Sequence, residues 1–303
     1  MEGTDGSSQR WDVIEGKPGN TRRIGHERAT IAQLLGARDA RSLPWQALGP
    51  QHTVYVREAL AARLAPATVN RALAALRRVL KWAWRLGLMT SEAYARAADV
   101  PSVTGTTLPR GRALDGGELR ALFATIAAGP HPPIRARDAA LLATLYGGGL
   151  RRAEVVALDV ADYRASTSAL AVRHGKGRRQ RVVYLTNGGR AALAAWLAVR
   201  GKDPGALFPP VTSYGRLLPQ RRLTPHAVWD WLARLARRAG VATCAPHDLR
   251  RSFISDLLDG GADLSTVQQL AGHRAPTTTA RYDRRGEHAK LRAAQALHVP
   301  YVG

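Results

Sequence analysis

The chain has 303 residues, 45% of them hydrophobic, one cysteine, and a net charge of +22 with a pI near 11.4. That length allows about two cored domains. A single cysteine excludes an intrachain disulfide framework and a Cys-rich zinc site, and without an uncharged apolar run of roughly 18 residues nothing in the sequence spans a membrane as a helix. A chain this basic suits a polyanion, nucleic acid first.

Residues 1–20 are rich in Gly, Ser and charge and read as a flexible tail. The opening stretch MEGTDGSSQRWDVIEG has no apolar core of signal-peptide length, which together with the lone Cys244 fits a reducing cytosol. Residues 21–103 follow a helical pattern. Its clearest piece is PATVNRALAALRRVLKWAWRLGL, 66–88, with Pro66 suited to a first turn. Val69, Leu73, Leu76, Leu80 and Trp84 recur at steps of three and four and predict one apolar stripe. Arg71, Arg78 and Arg85 share another face, and Arg77 and Lys81 lie beside each other. In this charge context these five predict a helix laid against DNA.

PSVTGTTLPRGR, 101–112, has no periodicity, and a linker is placed at 104–112. Residues 113–303 form a second, again mainly helical, domain. Within it Ala169–Val172 and Arg181–Leu185 predict two strands round a basic Gly-flanked turn that carries Lys176, Arg178 and Arg179. Residues 1–105 carry net +6 and residues 106–303 net +16. Two basic domains on a linker would grip a duplex from both sides.

Several basic residues occupy distinctive settings. GGGLRRAEVVAL, 147–158, places Arg151 after three glycines at a predicted helix start, where backbone and helix end both favour an anion. APHDLRRSFISDLL, 245–258, puts His247 and Arg250 three apart on one helix face. LAGHRAPTTTARYDRR, 270–285, brings His273 and, nine residues later, Tyr282. Singly, each of these has a commonplace reading as surface, core or turn.

In this order they resemble the tyrosine recombinases, the phage integrase family. The resemblance rests on Arg151 in GLRRAE, Lys176 in HGKGRRQR, His247 and Arg250 in HDLR, His273 in LAGH, the nine-residue step to Tyr282, and Glu154 three residues after the first arginine. It covers roughly 22–300. Gly148 stands where relatives often have Thr, and Arg152 and Arg251 double the key arginines. The fold implied is mainly α with a small β-hairpin or sheet, in two domains: a helical core-binding domain and a mixed α/β catalytic domain.

The resemblance also implies the chemistry. Tyr282 would attack a DNA phosphorus, although a phenol of pKa near 10 is a weak nucleophile at neutral pH. Arg151, Arg250 and His273 would neutralise charge on the nonbridging oxygens. Lys176 would protonate the leaving 5′-oxygen, and His247 would act as base or phosphate ligand. The implied cycle is a 3′-phosphotyrosyl link, a free 5′-hydroxyl and a four-way Holliday junction, with no cofactor, metal or nucleotide. The implied partners are double-stranded DNA with short inverted-repeat core sites and, on that DNA, three further copies of a chain that is monomeric in free solution. A bacterial cytoplasmic, nucleoid-associated setting follows, with no membrane. About 20 loose N-terminal residues leave no room for an arm-binding domain, which points to a Xer-like or transposon-type enzyme. Three other readings are weaker. A type IB topoisomerase fits the chemistry better than the layout. A noncatalytic helix-turn-helix regulator leaves Lys176 and Tyr282 unused. A metal-dependent nuclease would want a carboxylate cluster.

Overall fold

The computed structural model describes residues 21–105, 111–173, 180–273 and 276–280, together with residue 294. The chain divides into two compact units, Met1–Pro109 and Arg110–Gly303.

The first unit is helical. Its described helices are α1 (Thr21–Leu34), α2 (Pro50–Ala61), α3 (Pro66–Arg85) and α4 (Ser91–Ala98). Val69, Leu73, Leu76 and Leu80 of the predicted stripe are buried and pack with Ile31, Trp45, Val56 and Leu60. Trp84, at the end of that stripe, is only half-buried and stacks on Tyr94 with ring centroids 5.2 Å apart. Helix α3 stops at Arg85, short of the expected residue 88, because Gly87 takes a left-handed φ of 72° and turns the chain out of the helix. Thr90 then caps α4, its hydroxyl accepting the Ala93 N–H at 3.1 Å.

The second unit opens with α5 (Gly116–Ala127). Asp115 and Glu118 cap its start reciprocally, each carboxylate accepting the other's backbone N–H at 2.8 and 3.1 Å. Helix α6 (Pro132–Gly147) is buried along Ala140–Leu145 on successive positions, so it runs through the core rather than over it. Helix α7 (Arg152–Ala157) leads into an antiparallel sheet of β1 (Tyr163–Arg164), β2 (Ala169–Val172) and β3 (Arg181–Tyr184) in that order. The predicted hairpin is present, with Ala169 opposite Tyr184 and Val172 opposite Arg181. The two-residue β1 is an addition, too short to show an alternating pattern. Leu170, Val172 and Val183 turn inward on Leu141, Leu142 and Leu145. Helices α8 (Asn187–Arg200), α9 (Pro225–Arg238), α10 (Pro246–Asp259), α11 (Leu264–Ala271) and α12 (Pro276–Ala280) complete the unit. The fold is mainly helical with one small sheet.

Candidate functional site

The site is built where α6 ends. The chain leaves Gly147, passes Gly148, Gly149 and Leu150, and delivers Arg151 to the residue before α7. Gly149 has φ 57°, and a Cβ there would lie 2.3 Å from a ring carbon of Phe253 on α10. Only glycine lets this turn sit against that ring. Glu154, in the first turn of α7, then holds Arg151 twice. Its Oε2 accepts the Arg151 backbone N–H at 2.9 Å, and its Oε1 accepts Nη1 of the guanidinium at 2.7 Å. A carboxylate at a helix start is favourable in itself, and here it also orients the arginine.

His247 and Arg250 lie one turn apart on α10, as their spacing predicts. Arg250 is 1% exposed, and its Nη1 donates to the Gly149 carbonyl at 2.6 Å. Its Nη2 donates to the Ala271 carbonyl at the end of α11. That helix end is the focus of the site. The last carbonyls of a helix lack intrahelical partners and carry partial negative charge. Three consecutive ones receive arginines: Leu270 from Arg181 Nε at 2.8 Å, Ala271 from Arg250, and Gly272 from Arg151 Nη2 at 3.4 Å. Gly272 closes the helix in the left-handed region, φ 63°, and a Cβ on it would stand 3.0 Å from Arg181 Cδ. His273 follows at once, with Nδ1 2.9 Å from the hydroxyl of the buried Thr279 on α12.

Electrostatics match this convergence. The Glu154 carboxyl is 2% exposed, and burial alone would raise its pKa; the guanidinium of Arg181, then Arg151, overrides burial and holds it down to about 2. Burial lowers the His273 imidazole to about 4, helped by Arg250 and Arg151. His247 is shifted down too, by the atoms packed round it and by Arg251 and Arg250, although its side chain is exposed. Burial comes first in both histidine shifts, and the arginines beside them add a positive potential that suits an anion. The site opens on a cleft of about 680 Å³ lined by Arg151, Arg181, Gln268, Gly272 and His273.

Arg151, Arg250 and His273 are thus brought together, with His247 on the adjoining turn of α10. Lys176, Arg178, Arg179 and Tyr282 lie outside the described residues, as do most of residues 286–303. Sequence reasoning missed Arg181 and Thr279. Arg181 carried one signal, a cation where a strand alternating toward the core would place an apolar side chain. Of the basic residues assigned to a DNA face on α3, Arg78, Lys81 and Arg85 are exposed. Arg71 is exposed and reaches Glu27 at 3.2 Å. Arg77 differs: it is half-buried, and its guanidinium donates to the Ala98 and Val100 carbonyls, fastening the end of α4. Among the described residues no group of three His, Cys, Asp or Glu is placed to hold a metal ion, and no helix is long and apolar enough to cross a membrane.

Residues 112–288 match the phage integrase family. The tyrosine recombinase XerC of Corynebacterium glutamicum is 33% identical over 235 residues, covering 77% of this chain and 72% of that protein. XerD of Mycobacterium leprae is 36% identical over 253 residues, covering 80% and 75%. In fold, the chain is similar to the Tn1549 transposon integrase in complex with transposon right end DNA, with a TM-score of 0.69, 16% identity and coverage of 95% and 98%. It is also similar to the XerH recombinase bound to a palindromic difH substrate, with a TM-score of 0.66, 22% identity and coverage of 96% and 84%. The chain therefore belongs to the phage integrase family and is a tyrosine-type site-specific recombinase.

Proposed function

We propose that this recombinase cuts and rejoins double-stranded DNA at short core sites with inverted repeats, through a covalent 3′-phosphotyrosyl intermediate and a Holliday junction. The observation that carries the reading is the meeting of Arg151, Arg250 and His273 at the end of α11, where two guanidiniums and an imidazole converge on one helix end. Such a site is pre-charged for a phosphodiester. The nonbridging oxygens gain charge as the phosphorus becomes five-coordinate, and fixed donors aimed at them are each worth about 10²–10³ in rate.

The step balances simply. The Tyr282 oxygen attacks the phosphorus and loses its proton, with His247 in the role of acceptor. The bond to the 5′-oxygen breaks, and Lys176 protonates that oxygen. A 5′-hydroxyl from the same or a partner duplex attacks the phosphotyrosine in reverse and releases Tyr282. Bond energy is conserved throughout, so the scheme calls for no nucleotide or metal. The exposed cations Arg71, Arg78, Lys81 and Arg85 on α3 and the turn residues Arg178 and Arg179 supply backbone contacts, whose affinity is electrostatic and salt-dependent. A net charge of +22 keeps free copies apart as monomers, and two paired sites assemble four copies. The enzyme acts in the bacterial cytoplasm, on the nucleoid, a reading that its bacterial relatives support.

The test is Tyr282→Phe on a nicked suicide substrate. The variant should bind the core site and form no covalent adduct. Adduct at the wild-type level would move the nucleophile to another tyrosine and break the assignment.

A further inference from the structure

Arg181 opens β3 on the face that also carries the buried Val183, while Val182 and Tyr184 on the other face are exposed. The inward face of a strand ordinarily takes a hydrocarbon side chain. Here it takes a guanidinium whose side chain is 9% exposed. Nη1 and Nη2 donate to the two oxygens of Glu154 at 3.1 and 2.8 Å, and Nε donates to the Leu270 carbonyl at 2.8 Å. Gly272 leaves room for its shaft.

Both partners lead to the phosphate-binding groups. The same two Glu154 oxygens hold the backbone and guanidinium of Arg151. Leu270 is the first of the three carbonyls whose successors receive Arg250 and Arg151, and His273 lies three residues beyond it. One side chain therefore ties the sheet to Arg151 through a carboxylate and to the His273 segment through a helix end. It also divides the charge of Glu154. With Arg181 present, that carboxylate is shared between two guanidiniums. Without it, Glu154 would turn wholly to Arg151 and draw that arginine inward, away from a bound phosphate.

We propose that Arg181 is a positioning residue for recombination: acting through Glu154 and the end of α11, it sets the aim of Arg151 at the scissile phosphate. The proposal rests on the reading of Arg151 as a phosphate clamp. A plain structural ion pair would stabilise the fold and leave the aim of Arg151 untouched, and the two roles separate in a double-mutant cycle.

The experiment measures the rate of covalent adduct formation and single-site DNA affinity for the full chain, for Arg181→Lys, for Arg151→Ala and for the double variant. Lysine keeps the charge, but one ammonium cannot reproduce the fork across both carboxylate oxygens together with the Leu270 bond. Arg181→Lys should lower the adduct rate by about 10²-fold, the cost of a displacement near 1 Å, with affinity unchanged. In the Arg151→Ala background the same change should cost little. Additive losses in the cycle would overturn the proposal, as would a wild-type rate in Arg181→Lys. Should Arg181→Lys fail to fold, the cycle is run with Arg181→Gln, and failure of both to fold would make the residue structural and end the proposal. A methylphosphonate at the scissile position tests the underlying reading separately. It removes the charge Arg151 is held to neutralise, so the Arg151→Ala defect should shrink on it. An undiminished defect sinks the clamp reading, while the cycle still reports whether Arg181 and Arg151 act together.

Discussion

Glu154 grips Arg181 with both carboxylate oxygens, at 2.8 and 3.1 Å, in a setting where the carboxylate is 2% exposed. Removing one partner of such a pair leaves the other charge buried without compensation, a loss of about 3–5 kcal/mol. Glu154→Gln should therefore unfold at markedly lower urea than the wild type at pH 7. The folded carboxyl has a pKa of about 2 against an ordinary value of 4.5, so its contribution is complete above pH 4.5 and is lost as pH falls toward 2. The wild-type advantage over Glu154→Gln should narrow across that window. An advantage equal at pH 7 and pH 3 would mean that packing, not charge, explains the loss.

His273 gives the opposite kind of titration, that of a base whose folded pKa is pushed down. Its pKa is about 4 in the folded chain against an ordinary 6.5, so below pH 6.5 the unfolded chain takes a proton that the folded chain refuses. Stability should fall as pH drops from 6.5 toward 4, and His273→Gln should flatten that slope. Burial is the larger cause of that shift, and a phosphate in the site offsets the part that comes from Arg250 and Arg151. Core-site binding should then take up a proton and strengthen, relative to His273→Gln, as pH falls from 7.5 to 6. Fluorescence anisotropy at matched ionic strength measures this, and parallel pH curves for the two proteins would refute it.

Gly149→Ala tests the turn that aims Arg151. The left-handed φ of 57° costs a nonglycine residue about 1–2 kcal/mol, and the new methyl would meet the Phe253 ring at 2.3 Å. Arg250 Nη1 donates to this residue's carbonyl at 2.6 Å, so a shifted turn disturbs two arginines together. The variant should fold with a lowered thermal midpoint and lose far more in cleavage than in DNA affinity. Activity within a few fold of wild type would show that the turn adapts.

Part of this arrangement was readable from the sequence. Helix α3 was, because Val69, Leu73, Leu76 and Leu80 repeat at helical spacing and all four are buried. The hairpin was, because β-branched residues flank a basic glycine turn. The meeting of Arg151, Arg250 and His273 followed from family resemblance, since nothing local relates residues about 100 apart. Arg181 was not legible as a site residue, because its importance lies in Glu154 and Leu270, distant in sequence and joined to it only by the fold. Arg77 was misleading for the same reason. On a helical projection it shares an exposed cationic surface with Lys81, but the end of α4 folds back and takes its guanidinium into backbone hydrogen bonds.

Lys176 is tested through the chemistry of the leaving group. If it protonates the leaving 5′-oxygen, Lys176→Ala should form adduct slowly on ordinary DNA, by about 10²–10⁴-fold, the usual contribution of a positioned acid. A bridging 5′-sulfur leaves as a thiolate and needs no proton. On that substrate Lys176→Ala should recover most of the wild-type rate, while Arg151→Ala, which acts on the nonbridging oxygens, should recover little. The pair of substrates therefore separates an acid from a clamp within one assay. Equal defects of Lys176→Ala on oxygen and sulfur would make Lys176 a phosphate ligand and leave the leaving group to be protonated by another residue or by water.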